Sequence, residues 1–194
     1  SVLADDHQAL AMFAVADTTK ETSRQAVAEL KALGVRPVML TGDNQATAQA
    51  IAQQVGIDDV RAGLLPADKQ KLVAELSAGD VQVGMVGDGV NDSPSLAAAH
   101  IGFSMGGAGT DTAKEAADVL IMNDDLRKVA ETIRLSRKTY AVLWQNITIA
   151  LAIKAVFFVW AVFGSASMWM AVFADMGASL LVVFNGLRLL KSNR

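Results

Sequence analysis

The sequence predicts an α/β domain built on a mostly parallel sheet, followed by a pair of helices apolar enough to lie in a membrane. Three observations predict it. Strand-like apolar runs alternate with amphipathic helical segments from the start of the chain to about residue 122, a rhythm that parallel strands with crossover helices produce. Between Thr139 and Leu187 the only charged side chains are Lys154 and Asp175, whereas residues 1–138 mix charge and apolarity as a water-soluble domain does. The 194 residues are 52% hydrophobic, and their mean hydropathy of +0.33 is high for a wholly soluble domain.

ALAMFAV (9–15) reads as a strand, and TKETSRQAVAELKALG follows with a capping-type start, apolar residues at helical spacing and a closing Gly34. VRPVMLT is a strand, NQATAQAIAQQVG a helix and VRAGL a short strand. PADKQKLVAELSAG is a helix opening on Pro66 and closing on Gly79. VQVGMV, a buried strand by its apolar run, leads through the SPSLAAA helix to HIGFSM, the TDTAKEAA helix and VLIM. After Asp124, LRKVAETIRLSRKTYAVLWQ is a long amphipathic helix that runs into ITIALAIKAVFFVWAVF; GSAS then separates it from MWMAVFADMGASLLVVFNGLRLL. Each apolar run is about 17–23 residues, which at roughly 1.5 Å per residue spans a hydrocarbon core of about 30 Å.

The expected organisation is therefore a soluble portion over 1–130 and a transmembrane hairpin with its amphipathic lead-in over 131–194. Basic residues sit at both outer ends of the hairpin (Arg134, Arg137 and Lys138; Arg188, Lys191 and Arg194) and none lies in GSAS, so both ends and the α/β portion are expected on the cytoplasmic side. Two buried helices of a soluble protein are the alternative, and they are seldom so long and so apolar on every side.

Composition removes several function classes. The net charge is −3 and no basic stripe interleaves with aromatics, which leaves nucleic-acid binding without electrostatic support. The absence of cysteine excludes disulfides, thiolate metal sites and cysteine nucleophiles within these residues. His7 and His100 have no partner at metal-ligand spacing and read as ordinary histidines. SVLADDH has no basic segment leading into an apolar run, so it is no signal peptide, and a chain beginning with Ser1 is expected to continue upstream.

Ligands of open α/β sheets sit beyond the carboxyl ends of the strands. Three loops here qualify: MLTGDN with Thr41 and Asp43, LLPADK with Lys69, and VGDGVND with Asp88 and Asp92. A hydroxyl, an ammonium and paired carboxylates suit a phosphoryl group with Mg²⁺. Singly, each signal is explained as well by a helix cap, a helix start or a turn. Their order and their common placement after strands make the combined reading the stronger one.

TGDN, LLPADK and VGDGVNDSPSLAAAHIGFSMG resemble, in order and spacing, the phosphorylation domain of P-type ATPases, members of the haloacid dehalogenase superfamily. The resemblance implies a partial, Rossmann-like phosphorylation domain. It implies that Thr41 bonds the phosphoryl group, Lys69 stabilises its charge, Asp88 ligates Mg²⁺ and Asp92 completes the phosphate and metal surroundings, with Asp43, Asn44 and Asn91 lining the same site. ADTTK (16–20) is similar to the family's Asp-x-x-Arg segment, with Lys20 in place of Arg. The family's Asp-Lys-Thr-Gly-Thr nucleophile segment is not among these residues, so the nucleophile, the ATP-binding domain and the actuator domain are expected upstream. These residues alone are then expected to be inactive.

In the apolar part, Lys154 lies ten residues before Gly164 and Asp175 eight after Ser167, which sets both roughly 12–15 Å from the intervening turn. Charges at that depth pair or line an ion path. Met168, Met170 and Met176 read as packing rather than as a soft-metal path. NITIALAIK, ADMG and LRLL look like the last two membrane helices of the zinc-, cadmium- and lead-exporting branch of the family. That resemblance implies Asp175 as a ligand of the transported Zn²⁺, Cd²⁺ or Pb²⁺, Lys154 as an internal counter-ion, and a Cys-Pro-Cys helix elsewhere in the pump. It further implies a multi-pass protein of the plasma (inner) membrane in which ATP phosphorylates the upstream aspartate, the helix from Leu126 carries the conformational change, and hydrolysis resets it. A tethered phosphatase is disfavoured because no nucleophile of its own is present. A naturally truncated, non-catalytic membrane protein that binds or regulates a complete pump is the rival from another class.

Overall fold

Short and mostly parallel ladders order the first part of the molecule, with helices alternating between their strands. The computed structural model describes residues 2–4, 9–12, 19–88, 91–106, 115–164 and 167–191. The chain divides into two units, Ser1–Ala130 and Glu131–Arg194.

Strands β1 (Val2–Ala4) and β2 (Ala9–Met12) pair antiparallel with Val2 opposite Met12. β1 was not legible in the sequence, and this pair is the antiparallel exception to the parallel expectation. Helix α1 (Glu21–Ala32) begins after Lys20, whose side chain makes no cap. The capping-type start read from TKETS is thus replaced by a backbone turn, Ser23 N–H to the Lys20 carbonyl at 2.9 Å, with Glu21 placed favourably on the helix dipole.

β3 (Val38–Leu40) is shorter than VRPVMLT because Pro37 has no N–H to give a ladder, so the strand starts after it. It runs parallel to β4 (Asp59–Arg61) in the register Val38 to Asp59. Between them, α2 (Gln45–Val55) starts where the Asn44 side chain accepts the Thr47 N–H at 2.9 Å. It stops at Gly56, whose φ of +83° is a left-handed turn that glycine enters without a Cβ penalty. α2 buries Ala48, Ala52 and Val55, and α1, which packs beside it, buries Ala26 and Val27.

Helix α3 (Pro66–Ser77) opens on a proline that needs no N–H at that position, and Asp68 turns back to accept the Leu65 N–H at 3.0 Å. It leads to β5 (Gly84–Gly87), α4 (Ser93–Ala98), β6 (Ile101–Met105) and β7 (Val119–Ile121), with β5, β6 and β7 parallel in that order. β5 begins three residues later than VQVGMV suggests. The Val83 N–H donates to His100 Nδ1 at 3.1 Å and its carbonyl accepts from the backbone of His100 and Ile101, so Val83 serves a turn, and Val81 is 70% exposed rather than buried. His100 is thereby an ordinary structural histidine. The TDTAKEAA helix falls largely outside the described residues. Val73 of α3, Met85 of β5 and Leu96 of α4 form the core cluster, against which Leu40 of β3 packs.

Two long helices complete the chain: α5 (Arg127–Phe163, 37 residues) and α6 (Met168–Lys191, 24 residues). At 1.5 Å per residue α5 is about 55 Å long, more than a bilayer core requires. Both are long and apolar enough to cross a membrane, and almost nothing of their apolar windows is buried within the protein. α5 has its own start signal: Asp125 Oδ1 accepts the Arg127 N–H at 3.0 Å, and the Arg127 guanidinium grips both carboxylate oxygens at 2.7–3.1 Å. Arg127 also reaches Gln25 of α1 at 3.4 Å, which ties the first turn of α5 to the α/β unit.

Arg127 holds the Asp125 carboxyl below the usual carboxylate range, chiefly through its side-chain hydrogen bond. The cap therefore contributes in full above the unfolded-state pKa of about 3.9 and is lost as pH falls through the lower folded-state value. Asp125→Ala is expected to lower the thermal unfolding midpoint at neutral pH, and its difference from the parent should shrink on acidification. A scan by circular dichroism across the acid range reads both.

Candidate functional site

The loop after β3 is fastened to the segment entering α3, and the first turn of α3 meets the start of α4 beside the core cluster. Thr41 follows β3 directly, and its N–H donates to the Arg61 carbonyl at 3.0 Å, which extends the pairing with β4 by one step. Its hydroxyl donates to Asp43 Oδ2 at 2.9 Å and accepts the Asp43 N–H at 3.1 Å, a closed Thr–Asp turn. The same loop is fastened to the segment entering α3: Gly63 N–H bonds the Asp43 carbonyl at 2.8 Å and Leu64 N–H the Thr41 carbonyl at 3.1 Å. TGDN and LLPADK are thus one braced surface, although more than twenty residues separate their starts.

Lys69, in the first turn of α3, places Nζ 3.0 Å from Asp92 Oδ1. Their side chains are only 19% and 16% exposed, so this is a pair largely withdrawn from water, and α3 and α4 pack along each other beside it. Asp92 precedes α4 and its carbonyl accepts the Leu96 N–H at 2.8 Å, so the same residue starts the helix and holds the lysine. Gly87 makes the approach feasible. A Cβ built there would lie 2.8 Å from Asp92 Cβ and 2.9 Å from Asp92 Oδ2, closer than real contacts permit.

Asp88 leaves β5 at its carboxyl end and is exposed, as is Asn91. Asn44 is exposed too, with its carboxamide oxygen engaged as the α2 cap. The structure therefore brings together Lys69 with Asp92 and Thr41 with Asp43, and it shows a structural task for Asn44. Lys20 stands at the start of α1. Among the described residues no three His, Cys, Asp or Glu side chains gather into a metal-holding group. Mg²⁺ bound by one or two carboxylates with water and phosphate oxygens requires no such group, and an exposed carboxylate at the mouth of a parallel sheet fits that mode.

In the second unit, Lys154 Nζ lies 3.8 Å from Asp175 Oδ1. The pair opens onto a cleft of about 280 Å³ between α5 and α6, lined among others by Ile153, Phe157, Phe158 and Ala174. Ala178 is the one buried residue among those described in 131–194. Sequence reasoning missed Gly87, whose signal was a glycine closing an apolar strand directly before the acidic loop. It also missed the carboxamides of Gln145 and Asn185, which stand out as polar residues in apolar helices.

Comparison with known proteins follows this division. The haloacid dehalogenase-like hydrolase family model matches residues 1–100. A probable cadmium-transporting ATPase of Listeria monocytogenes is 50% identical over 183 residues, 94% of this chain and 26% of that protein. The zinc/cadmium/lead-transporting P-type ATPase of Escherichia coli (strain K12) is 47% identical over 182 residues, 94% of this chain and 24% of that protein. The crystal structure of a zinc-transporting PIB-type ATPase in the E2.Pi state matches with a TM-score of 0.83 and 47% identity, over 90% of this chain and 28% of that one. The chain thus spans about a quarter of the length of these relatives, and the similarity extends over both of its units.

Lys69→Met removes the ammonium while keeping most of the stem, and leaves Asp92 unpaired. The expected loss is about 1–2 kcal/mol of unfolding free energy, a fully buried pair's cost discounted for the partial exposure of both groups. Gly87→Ala pushes Asp92 away from the lysine without removing either charge. In a denaturant titration the double variant should lose less than the sum of the two singles, because both act on one contact.

Proposed function

This chain belongs to the haloacid dehalogenase-like hydrolase family, and on that premise we propose that it is part of an ATP-driven exporter of heavy-metal cations, of the class that works through an aspartyl phosphate. The observation that carries the reading is the joining, in one chain, of a phosphoryl-type site at a sheet mouth with a membrane-length hairpin whose two charges meet. A lysine held beside a carboxylate in a half-dry setting has no metabolic meaning alone. Taken together with an exposed Asp88 and a braced Thr41 hydroxyl in loops that follow parallel strands, it supports a receptor for a phosphoryl group.

In this proposal the Thr41 hydroxyl turns its one proton from Asp43 Oδ2 to a phosphoryl oxygen, while the Asp43 N–H that it accepts keeps its oxygen in place. Lys69 stabilises charge on the transferring group, and Asp92 sets its ammonium position. Asp88 holds Mg²⁺, with Asp43 and Asn91 in the surrounding shell. Mg²⁺ there supplies neutralisation of the phosphoryl oxygens. These residues contain no Asp-Lys-Thr-Gly-Thr segment, so the accepting carboxylate and the ATP-binding and actuator portions are contributed by chain beyond them.

In the membrane, Asp175 offers an oxygen ligand to the cation, of which Zn²⁺, Cd²⁺ and Pb²⁺ are the cases suggested by the relatives' names. Lys154, 3.8 Å away, competes for that carboxylate and favours release. The excess of basic residues at the outer ends of α5 and α6 supports a cytoplasmic position for both ends and for the α/β unit. A carboxylate without thiolates binds Zn²⁺ weakly, so soft ligands from other membrane helices complete the site.

The test is phosphorylation from γ-labelled ATP in lipid, read as acid-stable protein label. The 194-residue chain alone should take up no label. A complete pump containing it should take up label in response to Zn²⁺ or Cd²⁺. In that pump Asp88→Asn should reduce the label by about 100-fold or more, as loss of a principal electrostatic stabiliser does. Asp175→Ala should abolish the metal dependence while leaving phosphorylation from inorganic phosphate intact. Label on the isolated chain, or a metal response indifferent to Asp175, would overturn the proposal.

A further inference from the structure

The two membrane-length helices are joined at one end by four residues, 164–167, and are open at the other. The seam between them near the joined end is built of small and apolar side chains such as Ala171, Ala174 and Ala178, a surface along which helices pack closely but can also diverge or rotate. At the open end the seam is polar. Asn185 of α6 donates from Nδ2 to Asn146 Oδ1 of α5 at 2.9 Å and to Gln145 Oε1 at 3.3 Å. Its own carboxamide oxygen accepts from Arg188 Nη1, one turn further along α6, at 2.9 Å.

The chemistry of this cluster is directional. Arginine has only donors, so Arg188 takes the oxygen of Asn185 and leaves the amide N–H pair turned toward α5, where two carboxamide oxygens wait. All the hydrogen-bonding atoms of the Asn185 side chain are used, inside a stretch apolar enough to lie in hydrocarbon. Eight residues along α5 from Asn146 stands Lys154, and ten residues back along α6 from Asn185 stands Asp175, rises of about 12 and 15 Å. The charged pair thus lies between two fixed points, the short connection at one end and the carboxamide cluster at the other.

We propose that Asn185 is a positioning residue for the intramembrane cation site: it clasps the open end of the hairpin and so sets the approach at which Lys154 reaches Asp175. This rests on the reading of Asp175 as a cation ligand given above. Neither Asn185 nor its partners touches the cation; they act through the distance between the two helices. The carboxamides are suited to that task because, unlike a second ion pair, they add no charge that would compete with the cation or with Lys154.

The hairpin geometry is tested in the 194-residue chain itself, in lipid nanodiscs. The sequence has no cysteine, so a spin-label pair at Val142→Cys and Leu189→Cys is unambiguous. The parent should give one narrow distance distribution, Asn185→Leu, close to asparagine in size and compatible with lipid, a broad and longer one, and Asn185→Gln a distribution restored toward the parent. An unchanged distribution in Asn185→Leu overturns the clasp. In a complete pump carrying this hairpin, Asn185→Leu should raise the Zn²⁺ concentration for half-maximal ATP hydrolysis by about tenfold, as loss of a group supporting a metal ligand does, with little change in the maximal rate. A wider hairpin with unchanged half-saturation overturns the positioning role, provided that Asp175→Ala in the same pump abolishes the Zn²⁺ response. If Asp175→Ala leaves that response intact, the cation-site reading fails and the positioning role falls with it.

Discussion

A charge taken out of water must be matched, and this requirement shapes both units of the protein. In the α/β unit it is met by Lys69 and Asp92, 3.0 Å apart and mostly covered. Because these residues begin α3 and α4, matching them fixes where two helices start, and the core cluster of Val73, Met85 and Leu96 lies beneath. Gly87 is subordinate to the same requirement: the strand must end in a residue without a Cβ so that Asp92 can come close. In the hairpin the requirement is met by Lys154 and Asp175, at a looser 3.8 Å. On the proposed function, the looser pair suits a carboxylate that exchanges an ammonium for a cation, and the tighter one a lysine that stays in place.

How far the sequence disclosed this depends on the kind of signal. Helices with a polar cap or a terminal proline or glycine were legible because those residues act locally: Asn44 and Gly56 bound α2, and Pro66 opens α3. Strand ends were less so, because a ladder is a property of two segments. VQVGMV reads as a strand throughout, yet Val83 is claimed by His100, seventeen residues away. The partners of Lys69 were likewise only half visible. Its place in a helix start beside an acidic loop could be read from residue order, whereas its pairing with Asp92 rather than Asp88 depends on the packing of α3 against α4. Gly87 and the carboxamides of the hairpin escaped for the same reason, since each matters only through a neighbour distant in sequence.

The site and the hairpin belong to different physical settings, and α5 is the continuous element shared by both units. Its first turn is fixed by charge, through Asp125 and Arg127 to Gln25 of α1. Its far part is fixed by carboxamides, through Asn146 to Asn185. The division follows solvent. Where water is near, a carboxylate–guanidinium bridge is inexpensive to form and gives direction through its bidentate geometry. Where water is absent, a second ion pair would cost more in desolvation than it returns, and carboxamides hold the helices through Asn185, whose side-chain polar atoms are all bonded.

α5 is thus held by a different chemistry in each unit. The two attachments differ in what dissolves them: acid weakens the first by protonating Asp125, while the carboxamides that join α5 to α6 carry no ionisable proton. The contact between Asn146 and Asn185 is therefore kept under acid conditions that loosen the one at Asp125. In the proposed pump, the approach of Lys154 to Asp175 is then set by contacts within the hairpin itself.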